Sequence, residues 1–565
     1  MPQGRRKVPF SGKAKKEQLK AKKQSKKMPL YHRPDGDSEG ESGPVIQKIN
    51  YQSSKAGKSR PNRYALQFFR ETNEEIKAKK EEARQTVVKV KETDLEIHCE
   101  QFFDPALGFP KRPPWNFDLS KEQLDMQENK YFTEYLKNVE MRYDLKQLSY
   151  FELNLETWRQ LWRVLEMSDI ILFIVDIRYP AAMFPTSLYD YVTEELKKDF
   201  ILVLNKIDLS PAPLVAAWKN YFERRYPLLK IVMFTSLPGY NLVGQRSDKG
   251  GLQIRRRKGR IRMAAEGTEQ LYQVCQGIVG SYVDLTSWHS KIKEEMNENY
   301  LEEEKLEIGE TITVKNETDY FQYEKYRGGI LTVGCIGQPN VGKSSLMNAI
   351  MGKKVVSVSK TPGHTKHFQT IFLTNNVRLC DCPGLVFPSK VPKPLQVLMG
   401  SFPIAQLREP YTTVKYLAER LDLVVLLRID HPYNDDTWSA MDICDGWAKK
   451  RGYLTAKAAR LDSYRAANSL LRMALDGKIC LCLRPHHYSM KKDYWNSHPD
   501  VAKVKWIQAL GSDGDSEVGD TESSSGEEHN VIPDDSDAED SDEDSSDSEQ
   551  EVSVAANKFA VLTNE

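Results

Sequence analysis

Eight consecutive residues, Gly337-Gln338-Pro339-Asn340-Val341-Gly342-Lys343-Ser344, fit the pattern G-x-x-x-x-G-K-[ST]. Glycines let the backbone wrap close to phosphate oxygens. Successive N–H groups and the helix start behind them, at Ser345, aim positive dipole at those oxygens. Lys343 is placed to reach the β- and γ-phosphates of a nucleotide, and Ser344 to ligate Mg²⁺. Asp381-Cys382-Pro383-Gly384 follows a strand further on. An Asp at a strand end holds a Mg²⁺-bound water, and the Gly N–H senses the γ-phosphate. Between the two motifs lies Thr361-Pro362-Gly363-His364-Thr365, where a switch loop belongs. Thr365 would complete the Mg²⁺ shell with Ser344 and Asp381; Thr361 is its rival.

A second cluster reads a base. Asn205-Lys206-Ile207-Asp208 ends the strand Phe200 to Leu204. A carboxylate there accepts from guanine N1–H and N2–H₂, a donor pair that adenine lacks, so Asp208 would select GTP over ATP. The Lys206 stem lies along the base, and Asn205 ties this loop to the phosphate loop. Thr235-Ser236-Leu237, after the next strand, offers a backbone contact to guanine O6.

These residues need a sheet to hold them. Phe151, Leu155, Trp158, Trp162 and Leu165 recur every three or four residues, which predicts a helix with one apolar face. Ile170 to Val175 reads as a buried strand, Ser187 to Lys197 as helical, and Ile231 to Phe234 as a third strand. The alternation resumes with a strand over Ile330 to Ile336, a helix over Ser345 to Met351, and strands over Phe368 to Leu373 and Val377 to Cys380. A helix is expected from about Thr268 to Val279. Alternating strands and helices mean an α/β, doubly wound, mostly parallel sheet covered on both faces. From 389 the chain reads as helical, apart from a strand-length run at Leu423 to Leu427.

In an ordinary GTPase domain the phosphate loop comes first and the base-reading loops last. Here the base-reading loops come first. The same sheet forms if the old ends are joined, which the stretch 280–329 is long enough to do, and the chain is cut after Gly384. The γ-phosphate-sensing segment then runs straight into the helical region, which it would move with nucleotide state.

This order resembles that of the circularly permuted GTPases, in particular the guanine nucleotide-binding protein-like group, over about residues 150 to 485. The resemblance rests on Asp176-Ile177-Arg178-Tyr179-Pro180, Asn205 to Asp208, Gly337 to Ser345, Pro362 to Thr365, Asp381 to Gly384 and Ser463-Tyr464-Arg465-Ala466-Ala467-Asn468. It implies GTP hydrolysis linked to maturation or export of the large ribosomal subunit. One departure from Ras-like enzymes stands out. Leu385 follows Gly384 where they carry a glutamine that positions water, and leucine cannot do that. The resemblance further implies slow turnover assisted by K⁺ held partly at Asn340. Lys343, Asn340, Thr365 and Gly384 are the expected catalytic set.

The chain has 565 residues and a net charge of +1. That charge averages opposites: residues 1–28 hold eleven Lys/Arg and one Glu, and residues 512–551 hold eighteen Asp/Glu and no Lys/Arg. Such blocks stay solvated and act as interaction tails. The basic end suits import receptors or RNA, and points to the nucleus or nucleolus, with shuttling to the cytoplasm as an alternative. Ser38, Ser536, Ser541 and Ser545 precede acids as an acidophilic kinase prefers. The expected division is a disordered basic tail over 1–60, a charged helical arm over 61–148, the permuted GTPase domain over 150–388, a helical domain over 389–485 and an acidic disordered tail over 486–565. The GTPase domain would carry a basic loop at 249–262 and an acidic linker at 294–319. Apolar runs fall far short of the ~18 residues that span a bilayer, so no membrane is expected. The eight cysteines read as reduced thiols, with the pairs Cys380/Cys382 and Cys480/Cys482 structural rather than zinc ligands. Arg255 to Arg262, and Lys449 to Arg465 in the C-terminal helices, are candidate RNA contacts. A monomer is expected. Two rival functions remain at this level: a GTP-binding scaffold that scarcely hydrolyses, and a nuclear RNA-binding or chaperone-like protein acting through its tails.

Overall fold

The structure, a computed structural model, describes residues 71–144, 147–235, 260–298, 323–352, 369–455 and 460–508, and the backbone of the short strands at 46–48, 67–69, 241–243 and 254–256. Six strands form the central sheet: β1 (Ile170–Asp176), β2 (Asp199–Asn205), β3 (Lys230–Met233), β4 (Leu331–Gly337), β5 (Gln369–Thr374) and β6 (Val377–Asp381). Their spatial order is β5-β6-β4-β1-β2-β3. Neighbours are parallel except the β5–β6 hairpin. Every residue of β1 and β4 is buried. This is the pattern of strands covered on both faces, which is why they are apolar throughout rather than alternating.

The two chain segments meet at the middle of the sheet, where β4 pairs with β1 and Gly337 lies opposite Ile174. On the other side of β1, Asp176 faces Asn205 across to β2. On the other side of β4, Asp381 of β6 faces Cys335. Gly337, Asp176, Asn205 and Asp381 therefore sit at the carboxyl ends of parallel strands, where open α/β sheets bind ligands.

The helices of seven residues or more are α1 (Asn73–Ala83), α2 (Lys121–Arg142), α3 (Leu155–Met167), α4 (Ala212–Arg225), α5 (Arg260–Val279), α6 (Thr286–Glu298), α7 (Lys343–Met351), α8 (Lys393–Met399), α9 (Tyr411–Arg420), α10 (Ala440–Arg451), α11 (Ser463–Leu475) and α12 (Asp500–Ile507). Asn154 caps α3 by accepting from the Glu156 N–H at 3.1 Å. The predicted apolar face of α3 is buried at Trp158, Trp162 and Leu165. The Pro-rich passage lies against this helix: Trp162 Nε1 donates to the Pro110 carbonyl at 2.9 Å, and Trp115 Nε1 to Glu166 at 3.0 Å.

Several boundaries differ from those the sequence predicts. The helix expected at Thr268 begins at Arg260. The stretch from Ser187 splits into an α-turn over Thr186–Asp190 and a π-type turn over Tyr191–Glu195. Leu423–Leu427 is not a strand but a short helix. Asp422 caps it by accepting from Val425 N–H, and only its ends, Leu423 and Leu427, are buried. Burial four residues apart is helical spacing, and a five-residue apolar run does not reveal it. Residues 486–508, expected within the tail, include α12, whose Val504 and Ile507 are buried. The apolar core runs continuously from the sheet into the helices after 389, so the 388/389 boundary marks a change of secondary structure inside one unit that extends to Gly511. The rest of the expected tails, apart from the short strand at 46–48, and all but a fragment of each of 249–262 and 294–319 lie outside the described residues.

Candidate functional site

Lys343 opens α7, and Gly342 before it has φ +97°, a left-handed backbone that glycine adopts freely. Asn340 also sits in the left-handed region, at φ +60°. The Lys343 ammonium donates to the carbonyls of Gly337 (3.1 Å) and Gln338 (2.8 Å), inside the curl of the loop. Burial lowers its pKa, partly opposed by Asp381.

Asp381 ends β6 beside this loop. Ser344 Oγ donates to its Oδ2 at 3.3 Å, while its Oδ1 is buried with no hydrogen-bond partner. Burial pushes this carboxyl up to about 6, against the pull of Lys343 and Ser344. A buried carboxylate oxygen left unpartnered next to a serine hydroxyl is a hard, all-oxygen donor set, and it fits a Mg²⁺ ion. Gly384 approaches closely: a Cβ there would lie 2.9 Å from Pro339 Cα and 3.1 Å from Lys343 Nζ. Leu385 is fully buried, and its N–H donates to the Gly337 carbonyl at 3.2 Å. Of the predicted nucleotide contacts, Leu385, Ile207, Val341 and Cys382 thus place their side chains in the core.

The base-reading loop closes on the phosphate loop from the other half of the sheet. Asn205 Nδ2 donates to the Val341 carbonyl at 2.7 Å, and Lys206 Nζ to the Asn340 carbonyl at 2.6 Å. Lys206 takes a left-handed backbone, φ +59°, which turns Asp208 toward Thr235. Thr235 Oγ1 donates to Asp208 Oδ1 at 3.0 Å. The two motif sets, met in reversed order along the chain, therefore bound one site. Ser236, Leu237, Thr361 and Thr365 lie outside the described residues.

A family model described as "50S ribosome-binding GTPase" matches residues 332–450. Guanine nucleotide-binding protein-like 1 of Mus musculus is 50% identical over 496 residues, covering 84% of this chain and 81% of that protein. The chain belongs to the guanine nucleotide-binding protein-like GTPases. The Homo sapiens relative is 48% identical over 495 residues, with the same coverage. Large subunit GTPase 1 of Saccharomyces cerevisiae is 33% identical over 394 residues, covering 67% of this chain and 58% of that protein. A GNP-bound YlqF structure from T. maritima covers 58% of this chain and 97% of its own, at 16% identity and a TM-score of 0.32. The chain is a GTP-binding protein with a circularly permuted P-loop domain.

Several residues around these converging loops make contacts that sequence reasoning did not assign. Asp176 and Arg178 contributed only to the resemblance. Arg178 grips Asp176 with two hydrogen bonds, 3.0 and 2.8 Å, and Lys206 Nζ joins Asp176 at 2.9 Å. Burial alone would raise the Asp176 pKa, but Arg178 and Lys206 hold it well below the usual carboxylate range. Gly400 accepts from Asn340 Nδ2 at 3.0 Å, and Ser401 Oγ donates to Gln338 Oε1 at 2.7 Å. Gly400 ends α8 with a left-handed backbone, φ +77°, and no local sequence pattern signals its contact with the phosphate loop. Gln508, beyond any motif, donates to the carbonyls of Ile207 (2.6 Å) and Ser210 (2.8 Å).

Proposed function

We propose that this protein is a slow GTPase switch that engages RNA of the large ribosomal subunit. The convergence of the Asn205–Asp208 loop on the Gly337–Ser344 loop carries the nucleotide part of this reading. Lys343 supplies positive charge to the β- and γ-phosphates, Asp208 holds the guanine edge, and Gly384 brings a backbone N–H close to the γ-phosphate position. Ser344, Asp381 and Thr365 would hold Mg²⁺, which when bound screens the phosphate charge. Slowness follows from Leu385, whose buried side chain cannot orient an attacking water. K⁺ at Asn340 is the proposed compensation.

The ribosomal part draws on the printed names of the family model and the yeast relative. A basic cleft of about 690 Å³ supports an RNA partner. Its lining includes Arg224, Lys491, His486 and His487 as cations or polar partners for phosphates, alongside Arg225 and Glu100, which form an ion pair. Residues 1–28 favour import receptors and a nuclear or nucleolar location, and the serines of the acidic tail favour an acidophilic kinase.

Single-turnover GTP hydrolysis, with and without purified large subunits and in KCl or NaCl, tests this reading. Slow hydrolysis that subunits accelerate is expected, and Lys343→Ala abolishes it. Rates that subunits leave unchanged overturn the switch. No phosphate release in any condition favours a GTP-binding scaffold, with which a buried Leu385 is equally compatible. Arg224→Glu with Lys491→Glu should weaken RNA binding at least tenfold and flatten its salt dependence.

A further inference from the structure

The phosphate loop and Thr235 hold the guanine-reading loop from one side, through Asn205, Lys206 and Asp208. The guanine-reading loop leaves β2 at Asn205 and reaches α4 through a single short turn. From the other side, its carbonyls and the strand end beside it are held by residues from the C-terminal end of the described chain. Gln508 is 3% exposed, and its side-chain amide donates to both Ile207 and Ser210 carbonyls, the two that flank Asp208 and Leu209. Cys482 Sγ donates to the Leu209 carbonyl at 3.6 Å. Trp218 Nε1, on α4, donates to the Leu483 carbonyl at 3.0 Å. Arg178, whose other two contacts fix Asp176 and through it Lys206, sends its remaining Nη1 to the Ala474 carbonyl at 2.7 Å. That carbonyl lies in the last turn of α11, where the negative end of the helix dipole favours a guanidinium. Leu483 N–H closes the circuit on the Arg178 carbonyl at 2.9 Å.

From this arrangement we infer that Gln508 and Arg178 are positioning residues for guanine, and that nucleotide release is governed from α11 and α12. The inference rests on the guanine-nucleotide reading of the site. Lys206 and Asp208 touch the base, which GTP and GDP share. The C-terminal support therefore reports whether the site is occupied rather than which phosphate chain it holds. Coupling between binding sites is reciprocal. A nucleotide in the site stiffens α12, and a partner that draws α12 or the end of α11 away releases GTP and GDP alike. This differs from the switch segment after Gly384, which answers to the γ-phosphate.

The test uses the full-length protein with fluorescent GTP and GDP. Gln508→Ala and Arg178→Lys should each release both nucleotides about tenfold faster, by the same factor for the two. General destabilisation could also speed release, so a second ratio is read. Inosine triphosphate lacks the 2-amino group that Asp208 reads, and a displaced loop loses that distinction. The preference for GTP over inosine triphosphate should fall about tenfold in both variants. A folding defect with an intact loop leaves that preference unchanged, and such a result overturns the inference. In the wild type, hydrogen exchange at Asp500–Gln508 should slow equally with GDP and with a non-hydrolysable GTP analogue. Exchange that nucleotide does not alter also overturns it. Wild-type nucleotide binding, measured in the same experiment, shows separately whether the underlying reading holds.

Discussion

Replacing Asp208 by Asn probes the base-reading loop by changing one oxygen to nitrogen at constant size. Asp208 is 8% exposed, so water cannot substitute for a lost partner. Thr235 Oγ1 donates to Oδ1 at 3.0 Å and fixes the carboxyl group in its plane. In the variant, the amide carbonyl turned toward Thr235 keeps the bond that Oδ1 makes in the wild type. The amide NH₂ then faces guanine, whose N1–H and N2–H₂ are donors too. Hydrogen bonds to a charged acceptor contribute about 1.5–3 kcal/mol each. Losing one outright and weakening the other costs about 3 kcal/mol, on the order of 100-fold in affinity. Xanthosine triphosphate carries an acceptor at position 2 and meets the same NH₂ favourably. Competition of GTP and xanthosine triphosphate against a fluorescent guanosine nucleotide reads both effects. The preference should reverse. GTP affinity within threefold of wild type, or no gain for xanthosine triphosphate, would refute the assignment of Asp208.

Glu152 is buried beside the segment that follows Gly384, its N–H bonded to the Val386 carbonyl, and burial lifts its carboxyl to about 7. The folded protein therefore binds a proton there that the unfolded chain, near 4.5, has already lost. Stability falls as pH rises from about 4.5 to 7 and levels off above, by about 3 kcal/mol in all. Glu152→Gln should remove that slope and melt higher than wild type at pH 8; parallel melting curves against pH would count against it. Gly384→Ala forces a Cβ to within 3.0 Å of Pro339 N, so the switch and phosphate loops must part. Overpacking of this kind costs about 1–3 kcal/mol. Calorimetry should show a lower Tm, and nucleotide titration a loss of at least tenfold in GTP affinity.

The site was legible wherever chemistry demanded a residue type at a fixed local spacing. The phosphate loop, Asp381 and Asn205–Asp208 each declare themselves within a few residues, and apolar strands before them confirm the setting. Contacts between segments far apart along the chain left no such signal. Nothing in the sequence around Gln508 marks it as buried, and only the docking of α12 beside α4 gives its amide two carbonyls to bond. Leu423–Leu427 misled for a related reason. Its burial depends on which side the neighbouring helices cover, and that is decided in three dimensions.

The pairing of β1 with β4 at the centre of the sheet has a consequence for synthesis. Ile170–Asp176 leaves the ribosome roughly 150 residues ahead of its central neighbour, a wait on the order of ten seconds at common elongation rates. During that interval one apolar strand offers an unsatisfied edge to whatever is near, a template for wrong partners. Nascent chains of this permuted design should accordingly lean on chaperones more than their conventionally ordered cousins, in which the phosphate-binding strand is made first.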